Sequence, residues 1–199
     1  MLSLRYPITR FVYRPLSGPL ASVLARTGVT PVQITWVSAV VAFAGAGVFA
    51  AGHYITGALL TFAGVVTDCV DGDLARLTGR TSRWGAFLDS VLDRWTDAAL
   101  ILGITYSDPE AYGVVGGFAL VGSLLTSYTR ARAESLGTDA PDGIGGRDAR
   151  MLILVVAALA SFIFWGLVAV AVLGIVTSLH RAAVARRSLI RLDKANEIR

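Results

Sequence analysis

The sequence predicts an all-α integral membrane fold: an N-terminal amphipathic juxtamembrane helix followed by six transmembrane helices. Three observations lead there. Hydrophobic residues make up 54% of the 199 and charged residues 16%, with a mean hydropathy of +0.63, which is a membrane rather than a soluble composition. At about 20 residues per span, the length accommodates about six spans with short loops and leaves no room for a separate soluble domain, so 1–199 reads as a single membrane domain. Finally, of the 18 basic residues only Arg94 falls well inside a predicted span.

The elements follow in order. Residues 1–18 form an interfacial segment, in which Arg5, Arg10 and Arg14 alternate with Leu4, Tyr6, Ile8, Phe11, Val12 and Tyr13, interrupted by Pro7 and Pro15. The first span covers about 32–51 and is opened by Pro31, a residue suited to a helix start. The second covers about 54–77, the third about 85–106 and the fourth about 112–135. The apolar run 151–180 is too long for one span. Divided near Phe164-Trp165-Gly166, it gives a fifth span at 151–164 and a sixth at 166–185, the latter continuing as a cytoplasmic helix through Arg181, Arg186 and Arg187. Gly45, Gly47, Gly116 and Gly117 permit close helix packing.

The positive-inside rule orients this layout. With the N-terminus inside, Arg5, Arg10, Arg14, Arg26, Arg76, Arg80, Arg83, Arg130, Arg132, Arg147, Arg150 and Arg181 to Arg199 all lie on the cytoplasmic side. The opposite loops hold only Asp108 and Glu110. The expectation is a multi-pass protein of the cell membrane with both termini cytoplasmic. Topology therefore accounts for the net charge of +4, and nucleic acid is not expected as a partner. The first long apolar run starts only after residue 31, behind four arginines, which is not the pattern of a cleaved signal peptide. Two histidines and a single cysteine, Cys69, exclude a zinc site or a disulfide framework.

Chemistry concentrates in one stretch. Asp68, Asp71, Asp89 and Asp93 occupy the cytoplasmic ends of spans two and three. A single charge at the bilayer centre costs roughly 2.5–3.5 kcal/mol, so four acids require compensation. Residues three or four apart share a helix face, which pairs Asp68 with Asp71 and Asp89 with Asp93. A short loop containing Gly79 makes the two helices antiparallel neighbours whose acid pairs converge. Carboxylates without histidine or cysteine favour a hard cation, Mg²⁺ or Mn²⁺, and two such ions can clamp a pyrophosphate. Gly72 and Gly85 remove side chains where a ligand must approach the backbone, Ala75 keeps the same face open, and Arg76 is suited to phosphate or to a site carboxylate. Asp73 lies three residues before Arg76 and is expected to pair with it. Asp97 continues the Asp89–Asp93 face, as an outer acid or as a partner of Arg94.

The spacing Asp68-x2-Asp71-Gly72-x2-Ala75-Arg76-x8-Gly85-x3-Asp89-x3-Asp93 resembles the CDP-alcohol phosphotransferase signature at every specified position. Pro31 and Thr35 also keep two positions of a family pattern at the start of span one, with Val32 where Asn or Asp is usual. The resemblance implies a juxtamembrane helix, six spans and a homodimer. It implies a reaction in which an acceptor hydroxyl attacks the β-phosphate of a CDP-linked alcohol and CMP leaves. By the same match Asp68, Asp71, Asp89 and Asp93 are metal ligands, Asp93 is also the general base, and Asp68, Asp71, Gly72, Ala75, Arg76 and Gly85 form the CDP site.

Arg130 in Ser127-Tyr128-Thr129-Arg130-Ala131-Arg132-Ala133-Glu134 and the pair Arg147 and Arg150 form a candidate phosphate pocket on the same side as the acids. The segment resembles the family branch that uses inositol phosphate. The expected substrates are a CDP-lipid such as CDP-diacylglycerol, its chains in a lipid-facing groove, and inositol phosphate. Glycerol 3-phosphate as acceptor, or CDP-inositol as a soluble donor, are the alternatives within the family. Outside it, a prenyltransferase needs more spans and a different acid spacing, and a cation transporter needs acids nearer mid-bilayer.

Overall fold

The computed structural model describes residues 8–138 and 145–197; within it every regular element is a helix. A π-helical turn, Thr9–Tyr13, leads into α1 (Arg14–Leu24). Six longer elements follow: α2 (Pro31–Ala50), α3 (Tyr54–Thr78), α4 (Arg83–Ser107), α5 (Pro109–Ser135), α6 (Arg147–Leu159) and α7 (Ile163–Glu197). The predicted spans map one to one onto α2–α7. Of the predicted interfacial segment, residues 1–7, including Arg5, lie outside the described residues.

Local chemistry sets the boundaries. Thr30 caps α2 in a reciprocal capping box with Gln33, and Pro31 occupies the first turn, where its missing N–H is not needed. Gly79 ends α3 in the left-handed conformation, φ 66°. Ser82 caps α4 by accepting from the Gly85 N–H at 3.0 Å, and Asp108 caps α5 through the Ala111 N–H at 3.1 Å. The break between the last two helices falls at Ala160–Phe162 rather than near Phe164-Trp165-Gly166, because Ser161 takes the positive-φ turn position (φ 61°). Gly166 has a packing role instead: a Cβ there would stand 2.5 Å from the Ala157 methyl of α6.

Four helices, α2, α3, α5 and α7, are long and apolar enough to cross a membrane. Large apolar side chains on their outer faces, among them Trp36, Ile55, Phe118 and Trp165, are exposed, as a lipid-facing surface requires. The chain is a multi-pass membrane protein. α4 is equally long but carries Asp89, Asp93, Arg94 and Asp97, while α6 has 13 residues, about 20 Å at 1.5 Å per residue, less than a bilayer core.

The most extensive packing joins α2 to α3 and α5 to α7, with α4 resting on α2 and α5, and α6 on α3 and α7. The core between them holds Phe49, Leu100, Ile101, Ile104, Met151, Leu154, Leu167 and Val170. With little hydrophobic drive between helices in lipid, small residues set the approach distance. Gly122 on α5 and Gly174 on α7 meet backbone to backbone, so a Cβ on Gly174 would lie 2.7 Å from the Gly122 carbonyl carbon, and Thr126 Oγ1 donates to the Gly174 carbonyl at 2.8 Å. Of the glycines named from the sequence, Gly45 packs on Thr61 and Gly116 on Thr105, both within the chain, whereas Gly47 and Gly117 have nothing within 4 Å. Thermal unfolding in detergent should therefore show Gly174→Val destabilised by about 1–3 kcal/mol, while Gly117→Val stays within about 0.5 kcal/mol of wild type.

Candidate metal centre and substrate cavity

Asp68 and Asp71 lie on the second half of α3 and Asp89 on the first half of α4. The turn at Gly79–Ser82 reverses the chain, but α3 and α4 do not pack closely on each other as the short loop suggested: α2 packs against both and holds them across the site, where one carboxylate oxygen from each of the three lies within 4.8 Å of the others. Helix α2 fixes two of them. Thr35 donates to Asp71 Oδ2 at 2.5 Å, and Ser38, one turn on, lies 3.4 Å from Asp68 Oδ1. No described lysine or arginine pairs with Asp71 or Asp89, so the negative charge converging there calls for a cation from outside the chain. An all-carboxylate donor set without His or Cys, carried on two helices and braced by a third, fits a hard divalent cation.

Asp93 stands beside this trio. Its Oδ1 lies 2.8 Å from Arg147 Nη1, which also reaches Asp68 Oδ2 at 2.7 Å, and its Oδ2 lies 3.4 Å from Arg94. Asp93 is thus joined to Asp68 through Arg147 and lies outside the three carboxylates that converge. A cavity of about 220 Å³ opens against Asp71 and Asp89, walled by Val32 and Thr35 of α2, Gly72, Ala75 and Arg76 of α3, and Ser82 and Gly85 around the turn. A Cβ at Gly85 would stand 3.0 Å from the Ser82 Oγ that caps α4, whereas one at Gly72 would meet only the movable Arg76 guanidinium at 3.4 Å. Every residue expected in the nucleotide site lines this cavity except Asp68. That residue faces a smaller polar pocket with Ser38, Thr61, Asp93, Thr96 and Arg147.

The remaining charged residues fall into two groups. Asp73 pairs with Arg76 at 2.7 Å, as expected, and also accepts from Ser17 of α1 at 2.7 Å, tying α1 to the cavity wall. The start of the chain is held a second time where Thr9 donates to the Asp148 carboxylate and the Tyr13 hydroxyl reaches the Asp148 carbonyl. Burial, with the Asp148 charge nearby, pushes the Tyr13 hydroxyl well above its ordinary range, so it stays a donor. Asp97 does not pair with Arg94, which turns back to the Ser90 carbonyl. It accepts instead from Arg147 Nε at 3.0 Å and Arg150 Nη2 at 3.2 Å.

Of the three arginines expected around a phosphate, Arg147 and Arg150 are therefore brought together on Asp97, while Arg130 pairs with Glu134 on α5 at 2.8 Å. Thr35 and Ser38, polar and one turn apart in an apolar span, anchor two of the acids, a role not expected from the sequence. Arg181, expected only as a topology charge, is a second such case. That residue is 4% exposed and donates to the Thr126 carbonyl at 2.7 Å.

Comparison with known proteins adds independent findings. The profile of the family described as CDP-alcohol phosphatidyltransferase matches residues 28–186. An archaetidylinositol phosphate synthase of Pyrococcus horikoshii is 33% identical, the match covering 89% of this chain and 94% of that protein. A phosphatidylinositol phosphate synthase of Streptomyces avermitilis is 36% identical over 89% of this chain and 80% of its own length. Among solved structures, Mycobacterium tuberculosis phosphatidylinositol phosphate synthase PgsA1 with CDP-DAG bound superposes with a TM-score of 0.77 at 29% identity, over 85% of this chain and 92% of that one. Its complex with manganese and citrate also gives 0.77.

The anchoring of Asp71 is testable without turnover. Thr35→Val keeps shape but removes the hydroxyl, and should weaken Mn²⁺ binding about 10- to 100-fold in titrations followed by EPR of the free ion. Thr61→Val serves as the control: the Thr61 hydroxyl, though buried nearby, has no hydrogen-bond partner among the described residues, and its loss should leave the affinity unchanged.

Proposed function

This chain belongs to the CDP-alcohol phosphatidyltransferase family, and from that premise we propose that it transfers the phosphatidyl-type group of a CDP-linked lipid to a hydroxyl of inositol phosphate, releasing CMP. The observation that carries the reading is the meeting of Asp68, Asp71 and Asp89 within 4.8 Å beside a cavity walled by the signature's Gly72, Ala75, Arg76 and Gly85. The names of the relatives support the acceptor. The CDP-DAG bound to PgsA1 supports a CDP-lipid donor, and the manganese in the same protein supports a divalent cation.

The proposed ligands are Asp68, Asp71, Asp89 and Asp93, holding two ions of Mg²⁺ or Mn²⁺. Bound there, the metal would neutralise the donor's pyrophosphate and the charge that develops on it. The chain's own residues do the rest. Gly72, Ala75 and Gly85 admit the CDP head, Arg76 offers a guanidinium to it, and the acyl chains lie against the apolar faces of the spans. Asp93, held in place by Arg147, takes the proton of the attacking hydroxyl. The new P–O bond forms at the β-phosphorus as the P–O bond to CMP breaks, and CMP carries away the electron pair. Arg130, Arg147 and Arg150 are proposed to hold the acceptor's phosphate, and the contact of Arg147 with Asp93 supports an acceptor site abutting the base.

In the membrane, α2–α7 would each cross once, α1 would lie at the interface, and two copies would form a homodimer. Both termini and the site would face the cytoplasm, as the distribution of arginines supports. The whole chain would act as one membrane domain.

The test is CMP release by the purified protein with Mg²⁺, CDP-diacylglycerol and one acceptor at a time. Release with inositol 1-phosphate, but not with glycerol 3-phosphate, free inositol or serine, is the expected result. Release with glycerol 3-phosphate alone would discard the acceptor reading. In the same assay Asp93→Asn should lower kcat by about two to four orders of magnitude while CDP binding stays measurable, and wild-type turnover would remove Asp93 from the role of base.

A further inference from the structure

Asp97 lies outside the acid signature, one turn beyond Asp93 on α4, and is 4% exposed. A lone carboxylate at that depth is strongly disfavoured. Asp97 is instead divided between two cations, its Oδ1 accepting from Arg147 Nε at 3.0 Å and its Oδ2 from Arg150 Nη2 at 3.2 Å. Both arginines come from the first turn of α6, three residues apart and so on one face, and a single carboxylate of α4 therefore sets the register of that turn.

The two cations are used differently. Arg150 is 1% exposed, and beside Asp97 its Nη1 donates to the Gly145 carbonyl at 2.6 Å. Arg147 is the one that reaches the reacting groups. Asp97 takes its Nε, the Thr96 hydroxyl lies 3.3 Å from Nη2, and Nη1 is thereby directed at Asp68 and Asp93, 2.7 and 2.8 Å away. The guanidinium is a rigid planar fork, so holding one edge fixes where the other donors point. A buried ion network is weak evidence for stability but can fix register, and register is what an acceptor bearing both a hydroxyl and a phosphate requires.

We infer that Asp97 is a positioning residue, which with Thr96 fixes the Arg147 guanidinium beside Asp93 so that a phosphorylated acceptor meets a cation already in place. The inference rests on the phosphorylated-acceptor reading above. Its effect would pass through Arg147 rather than through contact with substrate.

Steady-state CMP release, with donor and inositol 1-phosphate varied independently, tests it on the full-length protein in detergent. Asp97→Asn should raise the acceptor KM about tenfold or more while the donor KM stays within about twofold. Thr96→Val, which leaves both ion pairs intact, should move the acceptor KM in the same direction by less. Combining Asp97→Asn with Arg147→Gln should add nothing to Arg147→Gln alone, because both act through one group. Equal changes in the two KM values, or effects of Asp97→Asn and Arg147→Gln that multiply, would reduce Asp97 to a structural ion pair. Should Asp97→Asn fail to fold, an unchanged acceptor KM in Thr96→Val overturns the inference by itself. A wild-type protein that releases no CMP with any phosphorylated acceptor defeats the substrate reading instead, and that result is separate from an active wild type with unmoved variants.

Discussion

Neutralising a cluster of carboxylates inside an apolar helical bundle is the constraint on which the rest of this structure depends. Asp68, Asp71, Asp89, Asp93 and Asp97 all face inward between α2, α3, α4 and α6. The chain answers with two kinds of compensation. Arg147 pairs with Asp68 and Asp93, and Arg150 with Asp97. Thr35 and Ser38 supply hydroxyl dipoles to Asp71 and Asp68. Removing one partner from such a buried pair costs about 3–5 kcal/mol, so the network ties the helices together as well as shaping the site. What the protein does not neutralise, at Asp71 and Asp89, is where a metal and the phosphates it binds would enter.

The helical scaffold serves this arrangement through close approach. α3 and α4 bring their acids together because both pack against α2, with Gly79 ending one helix and Ser82 capping the next within a few residues. The crossing of α5 and α7 at Gly122 and Gly174 and the seating of Gly103 of α4 against the Ala46 backbone of α2 leave no slack between layers. Carboxylates on neighbouring helices then keep their separations without loop flexibility, as electrostatic catalysis requires. Helix α1 joins the same framework: Asp73 accepts from Ser17 and pairs with Arg76, linking α1 to a cavity wall.

Much of this was legible in the residues. Apolar runs gave six helices with ends near those observed, since Pro31, Gly79 and the polar turns act locally. The acid pairs were readable because three- and four-residue spacing places them on one face, whereas what holds the two faces opposite each other is α2, which packs against both helices. Less visible was anything decided by packing across helices. Phe164-Trp165-Gly166 looked like a break, yet Gly166 packs against Ala157 and the turn falls at Ser161, a position with no composition signal of its own. Arg147 and Arg150 looked like free cations for a phosphate. Their commitment to Asp97, 50 and 53 residues away in sequence, is a tertiary fact that spacing cannot supply.

Anomalous diffraction from crystals grown with Mn²⁺ and a CDP-lipid bears most directly on the proposed metal site. The expected result is manganese density among the carboxylates of Asp68, Asp71 and Asp89, with the nucleotide filling the cavity beside Gly72 and Gly85. Manganese bound elsewhere, or a nucleotide seated away from these acids, would contradict the assignment of this cluster as the catalytic centre.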